Sequence, residues 1–150
     1  MKRSTLISLI IALSFLGVAD AWYLAETALT HTALTCSIAG LDGCNVVAQS
    51  PYSHVFGIPL GVYGVVFYAL TIIIAALSAR LVRTWLDRIL ALIVFVGALA
   101  SLYFLYVQFV LIQALCVYCL ASAVISLALT VVVIRLVRGQ KTSDPAATVS

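Results

Sequence analysis

The chain has 150 residues, 65% of them hydrophobic and 9% charged, with a formal net charge of +3. Soluble domains carry roughly 25% charged residues, so a water-soluble globular fold is excluded, and so few cations leave no surface for nucleic acid. What remains is a small integral membrane protein with room for one domain.

Four apolar runs, 5–25, 57–79, 89–111 and 115–134, reach the length of about 20 residues that a bilayer crossing needs. The expected fold class is all-α: a four-transmembrane-helix bundle over 1–138, a long loop between the first two helices, and a disordered tail over 139–150. The first run also has features of a secretory signal, namely Lys2 and Arg3 ahead of it and Ala19-Asp20-Ala21 near its end. Its continuation through Trp22, Tyr23 and Leu24 supplies an aromatic interfacial anchor and favours an uncleaved helix. Asp20 is the only acid within an expected span. A carboxylate there is costly unless it meets water at the interface or faces the bundle, where it could relay protons.

The loop that follows holds Cys36, Cys44, His31 and His54. Gly40, Asp42 and Gly43 between the cysteines are turn formers that let the chain double back. A Cys36–Cys44 bridge would close a short flexible loop able to swing, although a purely structural disulfide is an equally good reading of these two alone. Neither histidine has metal-motif spacing to a cysteine, so no metal is implied. Gly57, Gly61 and Gly64 form a small-residue stripe on the second helix, suited to close helix packing and able to take a flat ring. Pro59 is expected in that helix's first turn. Tyr103, Tyr106, Gln108 and Gln113 near the end of the third run read as an interface belt.

The fourth run opens with Cys116-Val-Tyr-Cys119. Helical residues three apart share a face, with Cβ atoms about 5–6 Å apart. The first turn of a helix favours a thiolate at Cys116, while Cys119 lies one turn deeper. Such a pair could pass electrons between an aqueous thiol and a reactant dissolved in lipid. A bridge inside one helical turn closes almost no loop and so has little structural use. All eight Lys and Arg lie at the termini or at 80–88, which places both termini in the cytoplasm and the four cysteines on the exoplasmic face.

These elements resemble the vitamin K epoxide reductase family, specifically its bacterial stand-alone members. The resemblance rests on "LGVADAWYLAETAL", Cys36 and Cys44 eight apart, "CNVVAQSPYSHVFGIPLGVYGVVFY" with Ser50, and "CVYC", in the family's order. The DsbB family, which also has four helices, carries its two cysteine pairs in the reverse order. The resemblance implies a thiol–quinone oxidoreductase of the bacterial cytoplasmic membrane. Its electron acceptor would be ubiquinone or menaquinone, and its partner a thioredoxin-fold, DsbA-like protein. It implies that Cys119 is the sulfur nearest the quinone, that Cys116 is attacked by Cys44, that Cys36 meets the partner, and that Ser50 lies near the quinone. The two polar quinone-holding residues of the animal enzymes fall on Leu60 and Ala123, so apolar contact, with Gly61 and Gly64 beside it, must take their place. The rival expectation is a non-catalytic tetraspan scaffold with structural disulfides.

Overall fold

The computed structural model describes residues 2–36, 43–81 and 83–141. Helix α1 (Arg3–Thr30) leads into a connection that contains α2 (Cys44–Ala48), a 3-10 turn (Pro51–Ser53) and a two-stranded hairpin, β1 (His54–Val55) and β2 (Ile58–Pro59). Then come α3 (Leu60–Leu81), α4 (Thr84–Tyr106) continued by a π-helical segment (Val107–Ile112), and α5 (Val117–Lys141). Among the described residues four helices are long and apolar enough to cross a membrane. They are apolar on all sides: Phe15, Leu16, Ile73, Leu92, Phe95 and Val124 all point outward, as a helix surrounded by lipid requires.

Helix α1 packs against both α3 and α5, and α4 packs chiefly against α5. The core between them is built from Ile10, Tyr68, Ala75, Leu90, Val94, Leu129 and Val133. With lipid outside there is no hydrophobic gradient to drive association, so close approach and side-chain fit must hold the helices. A side chain at Gly17 would strike the Tyr68 ring, one at Gly97 the Phe67 ring, and one at Gly61 the Ala25 and Ala21 backbone. At the end of the bundle away from the cysteines, Arg3 Nη2 donates to Asp87 Oδ2 at 3.1 Å and to Ser78 Oγ at 2.8 Å. The Ser78 hydroxyl in turn donates to Asp87. This cluster ties α1, α3 and α4 together.

The start of the second long helix and the end of the fourth differ instructively from the sequence expectation. Gly57 and Pro59 are not helical. Phe56 and Gly57 both have positive φ, 51° and 79°, at the turn of the hairpin, the backbone that a tight two-residue turn requires. Gly57 therefore leaves the small-residue stripe, and Pro59 ends β2 instead of starting α3. Helix α5 continues through 139–141, the start of the expected tail. The rest of that tail, 142–150, and the turn at Gly40 and Asp42 lie outside the described residues.

Candidate functional site

The four cysteines meet at one end of the bundle. Cys44 and Cys116, both fully buried, share an apolar cluster with Leu34, and Cys36 and Cys119 pack against it. Cys36 and Cys44 form a disulfide with Cα atoms 6.1 Å apart, while Cys116 and Cys119 are thiols.

Local chemistry holds the loop in place. The Asn45 side chain brackets the Leu34 backbone, accepting from its N–H at 2.8 Å and donating to its carbonyl at 3.2 Å. Tyr118 donates to the Thr35 carbonyl at 3.0 Å, and the Thr35 N–H donates to the Tyr23 hydroxyl at 3.2 Å. The two tyrosine rings lie against each other with centroids 4.9 Å apart. On the other flank, a Cβ on Gly43 would come within 2.8 Å of the Leu115 N and 2.9 Å of the Leu115 O. Only a glycine lets the loop backbone lie that close to the strand-like entry of α5. The described parts of the loop that was expected to swing are thus clamped over the helix pair.

Cys116 caps α5. Its carbonyl accepts from the Leu120 N–H at 3.0 Å, and its sulfur faces the Cys119 N–H at 3.5 Å, the place an N-cap side chain takes. The Cys119 thiol donates to the same sulfur, and the Cys119 and Tyr118 backbone N–H groups reinforce it. Against the opposing effect of burial they bring the Cys116 thiol from its ordinary 9.0 down to about 7. Its own N–H donates to Gln108 Oε1 at 2.9 Å. Gln108 is only 2% exposed and sits in the π-helical segment, which ends on Gln113 at φ 55°. A π-helix is wider than an α-helix and turns less per residue, so it changes which side chains share a face, and such segments gather at functional sites. Here the π-helix aims Gln108 inward at the cysteine cap, whereas Tyr103 and Tyr106 face outward.

Two cavities meet at Cys119. The smaller, about 100 Å³, lies under the loop and is lined by Cys44, Cys116, Ser50 and His54 among others. The larger, about 570 Å³, lies among α1, α3, α4 and α5 and is walled by Ala21, Gly64, Phe67, Gly97 and Ala123 among others. Leu24, Leu60, Gly61, Phe104 and Cys119 line both.

The vitamin K epoxide reductase family model matches residues 8–134. The chain belongs to that family. It is also similar to the thiol-disulfide oxidoreductase LTO1 of Arabidopsis thaliana, 36% identical over 120 residues. That match takes in 73% of this chain but 31% of the relative, so the chain spans about a third of the relative's length.

For a member of the vitamin K epoxide reductase family the sequence-expected residues distribute as follows. Cys36, Cys44, Cys116 and Cys119 converge. Ser50 lines the smaller cavity, but its hydroxyl donates to the Val47 carbonyl at 2.7 Å. Leu60 and Gly61 lie between the two cavities, and Gly64 and Ala123 line the larger. Gly61 and Gly64 also pack on α1, the close helix packing expected of the stripe. Asp20 has one carboxylate oxygen, Oδ2, buried without a hydrogen-bond partner. Gln108 was read as an interface residue and is instead an interior partner of the site. Its signal was slight: a glutamine eight residues before the first cysteine of the pair, in an otherwise apolar run. Tyr68 and Ser122, both on the larger cavity, carried no sequence signal.

Proposed function

We propose that the chain is a membrane thiol–quinone oxidoreductase that generates disulfides. Two electrons enter from a thioredoxin-fold, DsbA-like partner, pass through Cys36/Cys44 and then Cys116/Cys119, and leave to ubiquinone or menaquinone. The cysteines face the exoplasmic side of a bacterial cytoplasmic membrane, with both termini in the cytoplasm. The observation that carries this reading is the place of Cys119 on the wall shared by the two cavities, next to a cluster holding the other three sulfurs.

The larger cavity suits a quinone. Its walls are apolar and partly aromatic, its volume of about 570 Å³ takes a ring with the first part of a prenyl tail, and its glycines leave flat surfaces. A quinone held there would supply a two-electron, two-proton acceptor.

The chain's own sulfurs carry out the remaining steps, each by thiolate attack through a mixed disulfide. A partner thiolate attacks Cys36, the less buried of the loop pair, releasing Cys44. The partner's second thiol then displaces Cys36 and leaves oxidised. When Cys116 and Cys119 are bridged, Cys44 attacks Cys116 and releases Cys119 at the cavity wall. Cys36 then attacks Cys44 and releases Cys116. This restores the observed combination of an oxidised loop pair and a reduced helix pair. Because the loop is clamped against α5, the Cys44–Cys116 exchange needs no large excursion. Asp20 supplies protons from the α1 side of the bundle.

The test mixes purified protein with a reduced thioredoxin-fold dithiol and ubiquinone-1 or a short-chain menaquinone, and follows quinone absorbance. Rapid reduction that Cys119→Ala abolishes is expected. No reduction with either quinone and several partners would return the chain to a scaffold with structural disulfides.

A further inference from the structure

The proposed chemistry needs a group that hands a proton to the quinone oxygen itself. Conversion of a quinone to its hydroquinone takes up two electrons and two protons. A fully protonated Cys116/Cys119 pair would bring both protons. With Cys116 poised as a thiolate near neutral pH, the balanced step is thiolate plus thiol plus quinone plus one proton, giving a disulfide and a hydroquinone. That extra proton must reach an oxygen inside an apolar cavity, where the side chains at Leu60 and Ala123 have none to give.

Among the described residues the hydroxyl groups on the cavity wall belong to Tyr63, Tyr68, Ser101 and Ser122. The Tyr63 hydroxyl is spent on the Val55 carbonyl at 3.0 Å, and Ser101 stands on α4, a different helix from the cysteine pair. Tyr68 and Ser122 are placed differently. Ser122 follows Cys119 by one turn on the same face of α5, and both line the cavity. Tyr68 is 1% exposed, its ring fixed across Gly17 of α1. Its hydroxyl lies 2.9 Å from the Ser122 hydroxyl and 3.0 Å from the Ser122 carbonyl.

That triangle has a useful surplus. Two hydroxyl hydrogens face three oxygens, so the pair can satisfy itself, and either hydrogen can be turned to a further acceptor while the other stays bonded within the triangle. If Tyr68 donates to the Ser122 carbonyl, the serine hydrogen can turn into the cavity. If Tyr68 turns into the cavity, the serine can donate to the tyrosine oxygen. Either way no buried hydroxyl is left without a partner, which would otherwise be costly. Asp20 lies one turn from Gly17 on α1. Its Oδ2 is buried without a hydrogen-bond partner.

We propose that the Tyr68–Ser122 hydroxyl pair hydrogen-bonds a quinone carbonyl oxygen and passes it a proton, with Asp20 restoring the proton from behind Tyr68. This rests on the quinone reading above. The pair takes over the recognition that Leu60 and Ala123 cannot provide, from the neighbouring residue on α5 and from two turns further along α3.

The experiment uses the full chain in lipid nanodiscs with ubiquinone-1 labelled with 13C at its carbonyls, and compares Tyr68→Phe, Ser122→Ala and the double variant with wild type. Ser126→Ala, one turn further along α5 and off the cavity wall, is the control. Infrared difference spectra of bound ubiquinone-1 should show one carbonyl band moved to lower wavenumber in the wild type and in the control. The move should be reduced in each single variant and absent in the double. Quinone turnover should fall roughly 10- to 100-fold in the double variant, while exchange between Cys44 and Cys116, read by alkylation trapping, stays unchanged. Retention of that internal exchange also shows that the variants are folded. An unmoved carbonyl band in the wild type, or a double variant with wild-type band and turnover, overturns the donor pair and leaves the quinone reading standing. A wild type that neither binds nor reduces ubiquinone-1 overturns both.

Discussion

The two ends of the bundle solve opposite problems. At the arginine end α3 gives way to α4 within two residues, 82 and 83, and a single buried cluster of Arg3, Ser78 and Asp87 ties three helices together. At the cysteine end the chain bends through left-handed residues at His31, Phe56 and Gln113, a hairpin and a π-helical segment. Side chains there satisfy backbone groups that no regular element would: Asn45 at Leu34, the tyrosines at Thr35, Gln108 at Cys116. One end holds the helices in register with one expensive interaction. The other uses many modest ones to hold four sulfurs together, as the proposed exchange between them requires.

That contrast can be broken from either side. The largest effect is expected at the arginine end. Arg3→Met takes the cation from the buried Asp87 carboxylate, which keeps its bond from Ser78, and breaking a buried pair from one side costs up to about 3–5 kcal/mol. Thermal unfolding in detergent should show the loss, and the double variant Arg3→Met/Asp87→Leu should recover much of it. Disulfide exchange in the folded fraction should be unaffected, whereas an equal loss of exchange would mean that the two ends are not independent. Next comes Gly43→Ala, which presses a methyl group into the Leu115 backbone. Overpacking of this kind costs about 1–3 kcal/mol, taken here from the contact between loop and helix. In a Cys36→Ala/Cys119→Ala background the Cys44–Cys116 mixed disulfide should form roughly tenfold more slowly, with little change in unfolding temperature. The smallest effect is on titration. The shift of Cys116 is downward, so its reactive thiolate is the majority form above pH 7 and fades below it, whereas an unshifted thiol would need pH 9.0. Peptide-resolved alkylation against pH should give a midpoint at about 7 for Cys116. Cys119→Ala removes the strongest donor to its sulfur and should move that midpoint upward.

The four spans were legible because length and composition alone decide them: nothing but lipid accommodates so many apolar residues. The cysteine chemistry was legible because sulfur is rare in this chain and one pair has helical spacing. Boundaries were harder. Apolarity ends at the interface, but backbone hydrogen bonding does not, so α1 starts at Arg3 and α5 runs on to Lys141. The hairpin did leave a trace in "FGIP", since the residue before a proline resists the helical region, but the apolar run around it hid the signal. The inward turn of Gln108 depends on a helix wider than α, which period counting assumes away. The Asn45 bracket and the Tyr68–Ser122 contact join residues 11 and 54 apart, distances over which one sequence carries no pairing information.

The partition between the two cavities has a consequence for how the proposed enzyme avoids waste. Leu24, Leu60, Gly61 and Phe104 stand between the space under the loop and the space within the membrane, and Cys119 is the one redox-active group on that boundary. In the proposed enzyme a small reductant that reaches the space under the loop meets this shared wall before the larger cavity. Electrons cross as a bond exchanged between sulfurs, and no molecule has to diffuse across. The boundary acts as an insulator with a single conductor through it, and leakage past the disulfide relay is suppressed by the shape of the protein as well as by the choice of partner.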